Sequence, residues 1–217
     1  EKHRYSEIRL WGSLGFIITA TLLGGLFQYL SIDTLPVLLL LLFIFIFIAS
    51  LRVREHHQKQ HTDDHIWTVL RQPAVLALLI SCFLMQASHG PYYTFYSLNM
   101  ESLDYSRFSI GLLWSLGVLA EVVLFIFMYR LLKIKPASYW LVFSLFLTAI
   151  RWVLMAWFLD VLAIVILAQC LHAASFGLFH AAAIHLIHDF FPKHSGRGQA
   201  LYASVSFGAG GAVGSLY

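Results

Sequence analysis

Long uninterrupted apolar runs dominate the chain and are separated by short polar segments. The runs do not alternate apolar and polar residues at every second position, as membrane strands do, so helices are favoured. A helix that crosses a bilayer needs about 20 mostly apolar residues. The pattern therefore predicts an all-α integral membrane protein with about seven transmembrane helices, over residues 10–30, 34–51, 73–98, 108–132, 137–158, 161–191 and 198–217.

The composition indicates that lipid is the solvent for most of the chain. Hydrophobic residues make up 59% and charged residues 12% of the 217 residues, whereas a soluble domain has about a quarter charged residues. The basic residues lie in loops and not in one patch, which argues against binding of nucleic acid. Cys82 and Cys170 both lie in apolar runs, so we expect two small buried residues and no disulfide.

The loop charges predict the orientation of the helices. Of the 14 Lys and Arg residues, 12 lie in one alternating set of loops, and the other set holds only Arg107. Because loops rich in Lys and Arg stay in the cytoplasm, we expect residues 52–72 to be cytoplasmic and residues 99–106 to face outside. The basic residues of the first set are Lys2, Arg4, Arg9, Arg52, Arg54, Lys59, Arg71, Arg130, Lys133, Lys135, Lys193 and Arg197.

The longest polar segment, residues 52–72, divides the predicted helices into two before it and five after it. We interpret this segment as the boundary between two helical bundles. The chain does not begin with Met, and its last apolar run ends without a flanking loop, so we expect a piece of a longer parent protein. The expected partners are the lipid bilayer and the missing helices of that parent.

Four polar side chains are predicted to lie at membrane depth. Glu121 is central in its apolar run, Arg151 and His89 lie toward the predicted outer half, and His172 is near the middle of its run. Ionisable groups at such depth are costly and usually face a cavity or a partner. Glu121 is therefore a candidate proton carrier, with the two histidines as further candidates. The alternative is a buried Glu121–Arg151 ion pair that only fixes packing.

The segment HGPYYTFYSL combines a predicted helix break with aromatic residues. Pro91 removes a backbone hydrogen-bond donor and Gly90 lowers the local stiffness. Transporters place substrate sites at broken helices near the midplane. An aromatic belt at the outer membrane interface would suit Tyr92, Tyr93 and Tyr96 equally well, so both interpretations stay open.

The polar segment also holds His57, His61 and His65 at a spacing of four residues, with Asp64 nearby. On a helix this spacing would suit a metal ion, but a solvated linker is the favoured interpretation. We predict no metal site and no cofactor, and we interpret His180 mainly as a packing residue. The enzyme motifs GxSxG and HExxH and phosphate-binding glycine loops are absent from the sequence, so no enzyme activity is predicted.

Five segments carry a resemblance to a known family: RLWGSLGF, HGPYYTFYSL, GLLWSLGVLAEVVLF, HAASFGLFHAAAIHLI and GRGQALYASVSFGAGGAVGSLY. They are similar to the phenylpropionate permease-like group of the major facilitator superfamily. The resemblance covers essentially the whole chain and implies helices five to eleven of a twelve-helix protein. Residues 1–51 would then be the last two helices of the N-terminal bundle, 52–72 the cytoplasmic linker, and 73–217 the first five helices of the C-terminal bundle.

The same resemblance implies roles for the polar residues. The group is related to the oligosaccharide and nucleoside proton symporters, and in the lactose permease helices eight, nine and ten supply a Glu, an Arg and a His. Glu121, Arg151 and His172 match these by helix and depth. That permease also has a carboxylate one turn after the His, where this chain has Ser175. The resemblance thus implies proton coupling through Glu121 and His172.

The implied function is proton-coupled import of a small organic solute across a cell membrane, with a bacterial inner membrane expected, and the resemblance suggests an aromatic carboxylate such as a phenylpropionate as the solute. Arg151 would bind the carboxylate, and His89, Tyr92, Tyr93 and Tyr96 would complete the substrate site. Uptake of a sugar or nucleoside is the alternative within this class. A polytopic membrane enzyme or a metal-handling protein that uses the 11 histidines is the alternative outside it.

Overall fold

The computed structural model describes residues 2–52, 66–192 and 194–216, which contain helices and no strand. The first half of the chain forms α1 (Lys2–Leu26), a 3-10 turn (Ile32–Thr34), α2 (Leu35–Ser50), α3 (Ile66–Leu70), α4 (Pro73–Ser102) and α5 (Arg107–Ile134). The second half forms α6 (Ala137–Trp157), α7 (Leu162–Cys170), a π-helical segment π1 (Ala173–Leu178), α8 (Phe179–Phe190), α9 (Ser195–Ala203), a second segment π2 (Ser204–Gly210) and α10 (Gly211–Gly214).

Within the described residues, five helical segments are long and apolar enough to cross a membrane: Ile32–Ser50, Pro73–Ser102, Arg107–Ile134, Ala137–Trp157 and Leu162–Phe190. They confirm five of the predicted runs and the all-α fold class. The first predicted run gives a shorter apolar helix, Trp11–Leu26. The last is helical over residues 195–214 but does not reach the apolar content of the five, because it is rich in glycine and serine.

Local sequence signals explain where the long helices begin. Pro73 is at the start of α4 and Pro136 precedes α6, positions at which the missing N–H of proline costs nothing. Ser106 caps α5, where its side-chain oxygen accepts a hydrogen bond of 3.1 Å from the backbone N–H of Ser109. The ends of these helices follow from short-range chemistry, which is why the predicted boundaries agree with the structure to within a few residues.

The helix break predicted at HGPYYTFYSL is wrong, because α4 continues through Pro91. Proline has no N–H to donate to the carbonyl of Ala87. Gly214 packs its backbone against that carbonyl, and a Cβ on Gly90 would overlap the backbone of Gly214. The close approach of a second backbone shields the undonated carbonyl from lipid, so that tertiary packing keeps the helix continuous.

Packing differs strongly between the two ends of the chain. The helices from α4 onward surround two buried apolar clusters, one around Cys82 and Ile187 and one around Tyr92 and Met100. Helix α1 packs against α5, whereas α2 buries none of its residues. The prediction for Cys82 is therefore confirmed, but Cys170 is exposed, since hydropathy along a run does not say which face of a helix is turned outward.

The linker interpretation rests mostly on residues outside the described part of the chain. His57, His61, Asp64 and His65 all lie there. The predicted cytoplasmic position of residues 52–72 stays a prediction, as do the bundle boundaries at residues 51 and 73.

Candidate functional site

A cavity of about 1060 Å³ lies between α1 on one side and α4, α5 and the π1 region on the other. Its outer end is bounded by Glu101 and Arg107, which form an ion pair of 3.0 Å. Its deeper wall includes Tyr93, Trp114, Glu121, His172 and Phe176. The cavity therefore runs from the predicted outer end of the helices to the residues that are predicted to lie near the membrane centre.

The structure divides the predicted site residues into two layers. Tyr93, Glu121 and His172 line the cavity. The other four, Arg151, His89, Tyr92 and Tyr96, are buried behind that wall, inside the bundle formed by α4 to α8. Ring contacts join the layers, since Tyr92 lies 5.5 Å from Tyr93 and 6.3 Å from His172 between ring centroids.

Arg151 is fully buried and is held in place by neutral groups. Its Nε donates to the carbonyl of Ala168 at 2.9 Å, and Nη1 donates to Ser175 Oγ at 3.1 Å. The guanidinium carbon lies 4.4 Å from the centre of the Tyr92 ring and 4.6 Å from that of Trp152. Such cation–π contacts stabilise a desolvated guanidinium in part.

No carboxylate forms an ion pair with Arg151 among the described residues, and its Nη2 has no hydrogen-bond partner. The structure thus does not contain the Glu121–Arg151 ion pair that was the packing alternative. A buried cation without an anion is expensive unless another charge enters the site. Arg151 is therefore a buried cation whose position is fixed by hydrogen bonds and ring contacts, but whose charge is not neutralised by an anion.

Ser175 orients the guanidinium of Arg151. It lies in π1, is fully buried, and its hydroxyl accepts the bond from Arg151 Nη1. Short π-helical segments shift the register of a helix and are common at functional sites. Here the segment carries the contact that orients the guanidinium.

His89 serves mainly to position Arg151. Its Nδ1 lies 2.8 Å from the carbonyl of Met85, and its Nε2 lies 3.4 Å from Arg151 Nη1. A carbonyl accepts and a guanidinium donates, so the neutral tautomer with hydrogen on Nδ1 satisfies both contacts. The ring is fully buried and packs edge-on against Trp152 at 4.8 Å. Trp152 was not predicted, although it follows Arg151 directly in the sequence.

Unpaired polar atoms cluster around the Tyr92 ring. Besides Arg151 Nη2, they are Tyr96 Oη, Gln169 Nε2 and His172 Nδ1, all buried and without a hydrogen-bond partner. Gln169 is tied to the same ring, because its Oε1 accepts a bond of 2.9 Å from Tyr92 Oη. Each such atom costs about 1–3 kcal/mol if it stays unsatisfied, so their grouping favours a polar ligand or water at this place. Sequence reasoning missed Gln169, an isolated amide in an apolar run.

Tyr93 and Trp114 form a flat aromatic surface on the cavity wall. Their ring centroids are 6.1 Å apart with an interplanar angle of 20°. Trp114 is oriented by a bond of 3.1 Å from its Nε1 to Ser97 Oγ, and Tyr93 is 40% exposed. Planar aromatic groups stack well on such surfaces.

Glu121 is buried in the cavity wall. Its side chain lies against Gly177 of π1, where a Cβ would come within 2.7 Å of Glu121 Cγ. Glycine at this position therefore makes room for the carboxyl group between α5 and π1. Within the part of the chain that the structure describes, no group of three or more His, Cys, Asp and Glu residues is arranged to hold a metal ion.

Comparison with known proteins gives one family and one relative. The model of the MFS_1 like family matches residues 1–217. The chain is 32% identical over 219 residues to a protein of Escherichia coli (strain K12) described as a "Probable 3-phenylpropionic acid transporter". The match covers 98% of this chain but only 57% of the relative, so the chain spans a little over half the length of that relative. No solved structure matches the chain.

Proposed function

This chain belongs to the MFS_1 like family of the major facilitator superfamily, and from that premise we propose that its parent is a proton-coupled secondary transporter. The chain is a multi-pass membrane protein. In the proposal, residues 1–51 are the last two helices of the N-terminal bundle, 52–72 the cytoplasmic linker, and 73–217 the first five helices of the C-terminal bundle. The parent imports its solute across a cell membrane, for which we propose a bacterial inner membrane.

The proposed substrate is a small aromatic carboxylate, of the kind named in the description of the Escherichia coli relative. The observation that carries the proposal is the buried Arg151, which lacks a carboxylate partner in the described structure and has an unsatisfied Nη2. A guanidinium binds a carboxylate with two parallel hydrogen bonds. An anionic substrate would therefore provide the missing charge and the missing hydrogen bond together.

Arg151 lies behind the cavity wall, and the Tyr92 ring covers its guanidinium. The proposal therefore includes a movement of Tyr92. The Tyr92 ring lies over the guanidinium and belongs to the same ring cluster as Tyr93. Transporters of this kind bind substrate at the centre and then change conformation around it. We propose that the aromatic ring of the substrate stacks on Tyr93 and Trp114, and that displacement of Tyr92 opens the way to Arg151, with Tyr96 and His89 behind it.

The proposed proton site is Glu121, with His172 beside it on the cavity wall. Two negative charges in one apolar cavity repel each other strongly, because the local dielectric is low. Protonation of Glu121 therefore favours binding of the substrate carboxylate, and binding of the carboxylate favours protonation of Glu121. This mutual effect couples proton binding to substrate binding. In this form the coupling acts through the substrate charge and does not need a Glu121–Arg151 ion pair.

Uptake by the complete parent in proteoliposomes tests the proposal. A phenylpropionate, a sugar and a nucleoside would be offered separately, with and without an imposed inward proton gradient. The informative variants are Arg151→Lys, which keeps the charge but loses the planar fork, and Glu121→Gln. Arg130→Lys is the matched control, because it makes the same change at an exposed arginine.

We expect gradient-driven accumulation of the aromatic carboxylate only. Arg151→Lys should weaken substrate binding, and Glu121→Gln should abolish accumulation while leaving energy-independent exchange. Accumulation of the sugar or nucleoside instead would reject the carboxylate assignment. Normal accumulation with normal pH dependence in Glu121→Gln would show that Glu121 is structural.

A further inference from the structure

Gln169 is fully buried near the end of α7, beside helix α5 and the Tyr92 ring. Its Oε1 accepts a hydrogen bond of 2.9 Å from Tyr92 Oη. On the α5 side, a Cβ on Gly117 would lie 3.3 Å from the same oxygen, so glycine at this position leaves room for the amide. Gly117 directly precedes Val118, which lines the cavity. The amide of Gln169 therefore lies close to a helix that forms the cavity wall.

The Tyr92 side chain contacts both Gln169 and Arg151. The guanidinium carbon of Arg151 lies 4.4 Å from the centre of the Tyr92 ring, and the hydroxyl of the same ring donates to Gln169. The backbone also keeps the two residues close, because the carbonyl of Ala168, next to Gln169 in the chain, accepts the bond of 2.9 Å from Arg151 Nε. A ligand group that takes the place of the Tyr92 ring therefore contacts the amide as well as the guanidinium.

Arg151 and Gln169 each have a hydrogen-bond donor that lacks an acceptor. Within the part of the chain that the structure describes, Arg151 Nη2 and Gln169 Nε2 are buried and have no partner. Both atoms donate and cannot accept, so a ligand that satisfies them must offer acceptors. An ionised carboxylate has two oxygens that only accept, and its bonds to a guanidinium are strengthened by charge. One carboxylate can therefore use both donors.

The movement of Tyr92 that the proposed function includes breaks the hydrogen bond between Tyr92 and Gln169. A buried amide that loses its partner is unfavourable, so Gln169 must gain new bonds when Tyr92 leaves. Tyr96 can supply the new donor for Oε1, because its hydroxyl is buried and unpartnered among the described residues and its ring lies 5.1 Å from that of Tyr92. Nε2 still needs an acceptor, which the substrate carboxylate provides.

We propose, building on the function proposed above, that Gln169 is a further substrate-binding residue that exchanges Tyr92 for the substrate. Until substrate binds, Gln169 Oε1 holds Tyr92 over Arg151. Once Tyr92 has moved, Gln169 Nε2 donates to one carboxylate oxygen, and Arg151 Nη2 donates to the same carboxylate. The bond between Tyr92 and Gln169 therefore opposes substrate binding, whereas the bond between Gln169 and the carboxylate favours it.

Equilibrium binding of radiolabelled 3-phenylpropionate to the purified complete parent separates these two effects. Tyr92→Phe keeps the ring but removes the hydroxyl, so it loses only the bond that opposes binding. Gln169→Met keeps the length of the side chain but loses both that bond and the bond to the carboxylate. Tyr139→Phe and Gln72→Met are the matched controls, because they make the same changes at exposed positions. Thermal unfolding of each variant in detergent shows whether it is folded.

We expect Tyr92→Phe to bind about 2- to 10-fold more tightly than the unmodified parent, the factor that one neutral hydrogen bond contributes. Gln169→Met should bind about 10- to 100-fold more weakly than Tyr92→Phe, because it also lacks a hydrogen bond to a charged group. Both controls should bind normally. Equal affinity of Gln169→Met and Tyr92→Phe would overturn the proposal, and so would an unchanged or weaker affinity of Tyr92→Phe.

Two further variants cover the remaining outcomes. If Gln169→Met does not fold, Gln169→Glu replaces it, because its carboxylate still accepts from Tyr92 but has no N–H to donate. Gln169→Glu should bind at least about 10-fold more weakly than the unmodified parent, and normal affinity would overturn the proposal. Arg151→Lys tests the proposed function alone. If it binds normally, the proposed function fails; if it binds weakly while Gln169→Met matches Tyr92→Phe, only the role of Gln169 fails.

Discussion

The contact between α1 and α5 allows a sharp test of packing, because two adjacent glycines of α1 differ in their surroundings. A Cβ on Gly24 would lie 2.8 Å from the backbone oxygen of Arg107, whereas a Cβ on Gly25 would lie 3.6 Å from a side-chain carbon of Phe108. Ordinary contact begins at 3.4 Å. Gly24→Ala is therefore predicted to force the helices apart, and Gly25→Ala is predicted to fit.

The size of the effect follows from these distances. The Cβ of Gly24→Ala would lie about 0.6 Å closer to the Arg107 oxygen than ordinary contact allows. That oxygen belongs to the backbone and cannot rotate away. Overpacking of this kind costs about 1–3 kcal/mol. The same separation would lengthen the 2.9 Å hydrogen bond between Thr21 Oγ1 and Ser115 Oγ in this interface, which adds about 0.5–1.5 kcal/mol. The gain of helix propensity from Gly to Ala offsets about 1 kcal/mol.

We therefore expect Gly24→Ala to lower the free energy of unfolding by about 0.5–3.5 kcal/mol, and Gly25→Ala to leave it unchanged or raise it by up to about 1 kcal/mol. The assay is reversible unfolding of the purified parent with sodium dodecyl sulfate in mixed micelles, followed by tryptophan fluorescence. Equal stability of the two variants would refute the close approach of α1 to α5. A loss in Gly25→Ala as large as that in Gly24→Ala would refute the assigned helix face.

Three further predictions follow from the predicted topology and the outer contacts. Ser102→Cys should react with a membrane-impermeant thiol reagent from outside the cell, and labelling only from the cytoplasmic side would reverse the orientation. Arg107→Gln removes hydrogen bonds to Glu101 and to the carbonyl of Phe27. Because the ion pair is exposed, the free energy of unfolding should fall by about 1 kcal/mol or less. A much larger fall would show that this contact holds the outer ends of the helices together. Residues 1–217 alone, reconstituted in liposomes, should show no saturable gradient-driven uptake, since the family's substrate path lies between two bundles.

The sequence by itself determined the class of fold and predicted the depth of the important residues. Hydropathy is a local property that depends on how many consecutive residues avoid water, and it therefore located the long helices. The same counting placed Glu121 and His172 near the membrane centre, and the structure brings both to one cavity wall. Their roles in proton coupling stay predictions.

Only the tertiary structure decided which groups meet and which helix faces are covered. Arg151 lies behind the cavity wall and contacts Ser175 and His89 instead of Glu121, a choice set by helix rotation. Cys170 is exposed although its run is apolar, and α4 continues through Pro91, where the backbone of Gly214 packs against it. These outcomes depend on how the helices rotate and cross, and contacts between residues far apart in the chain fix that arrangement. The local pattern of apolar and polar positions does not encode it.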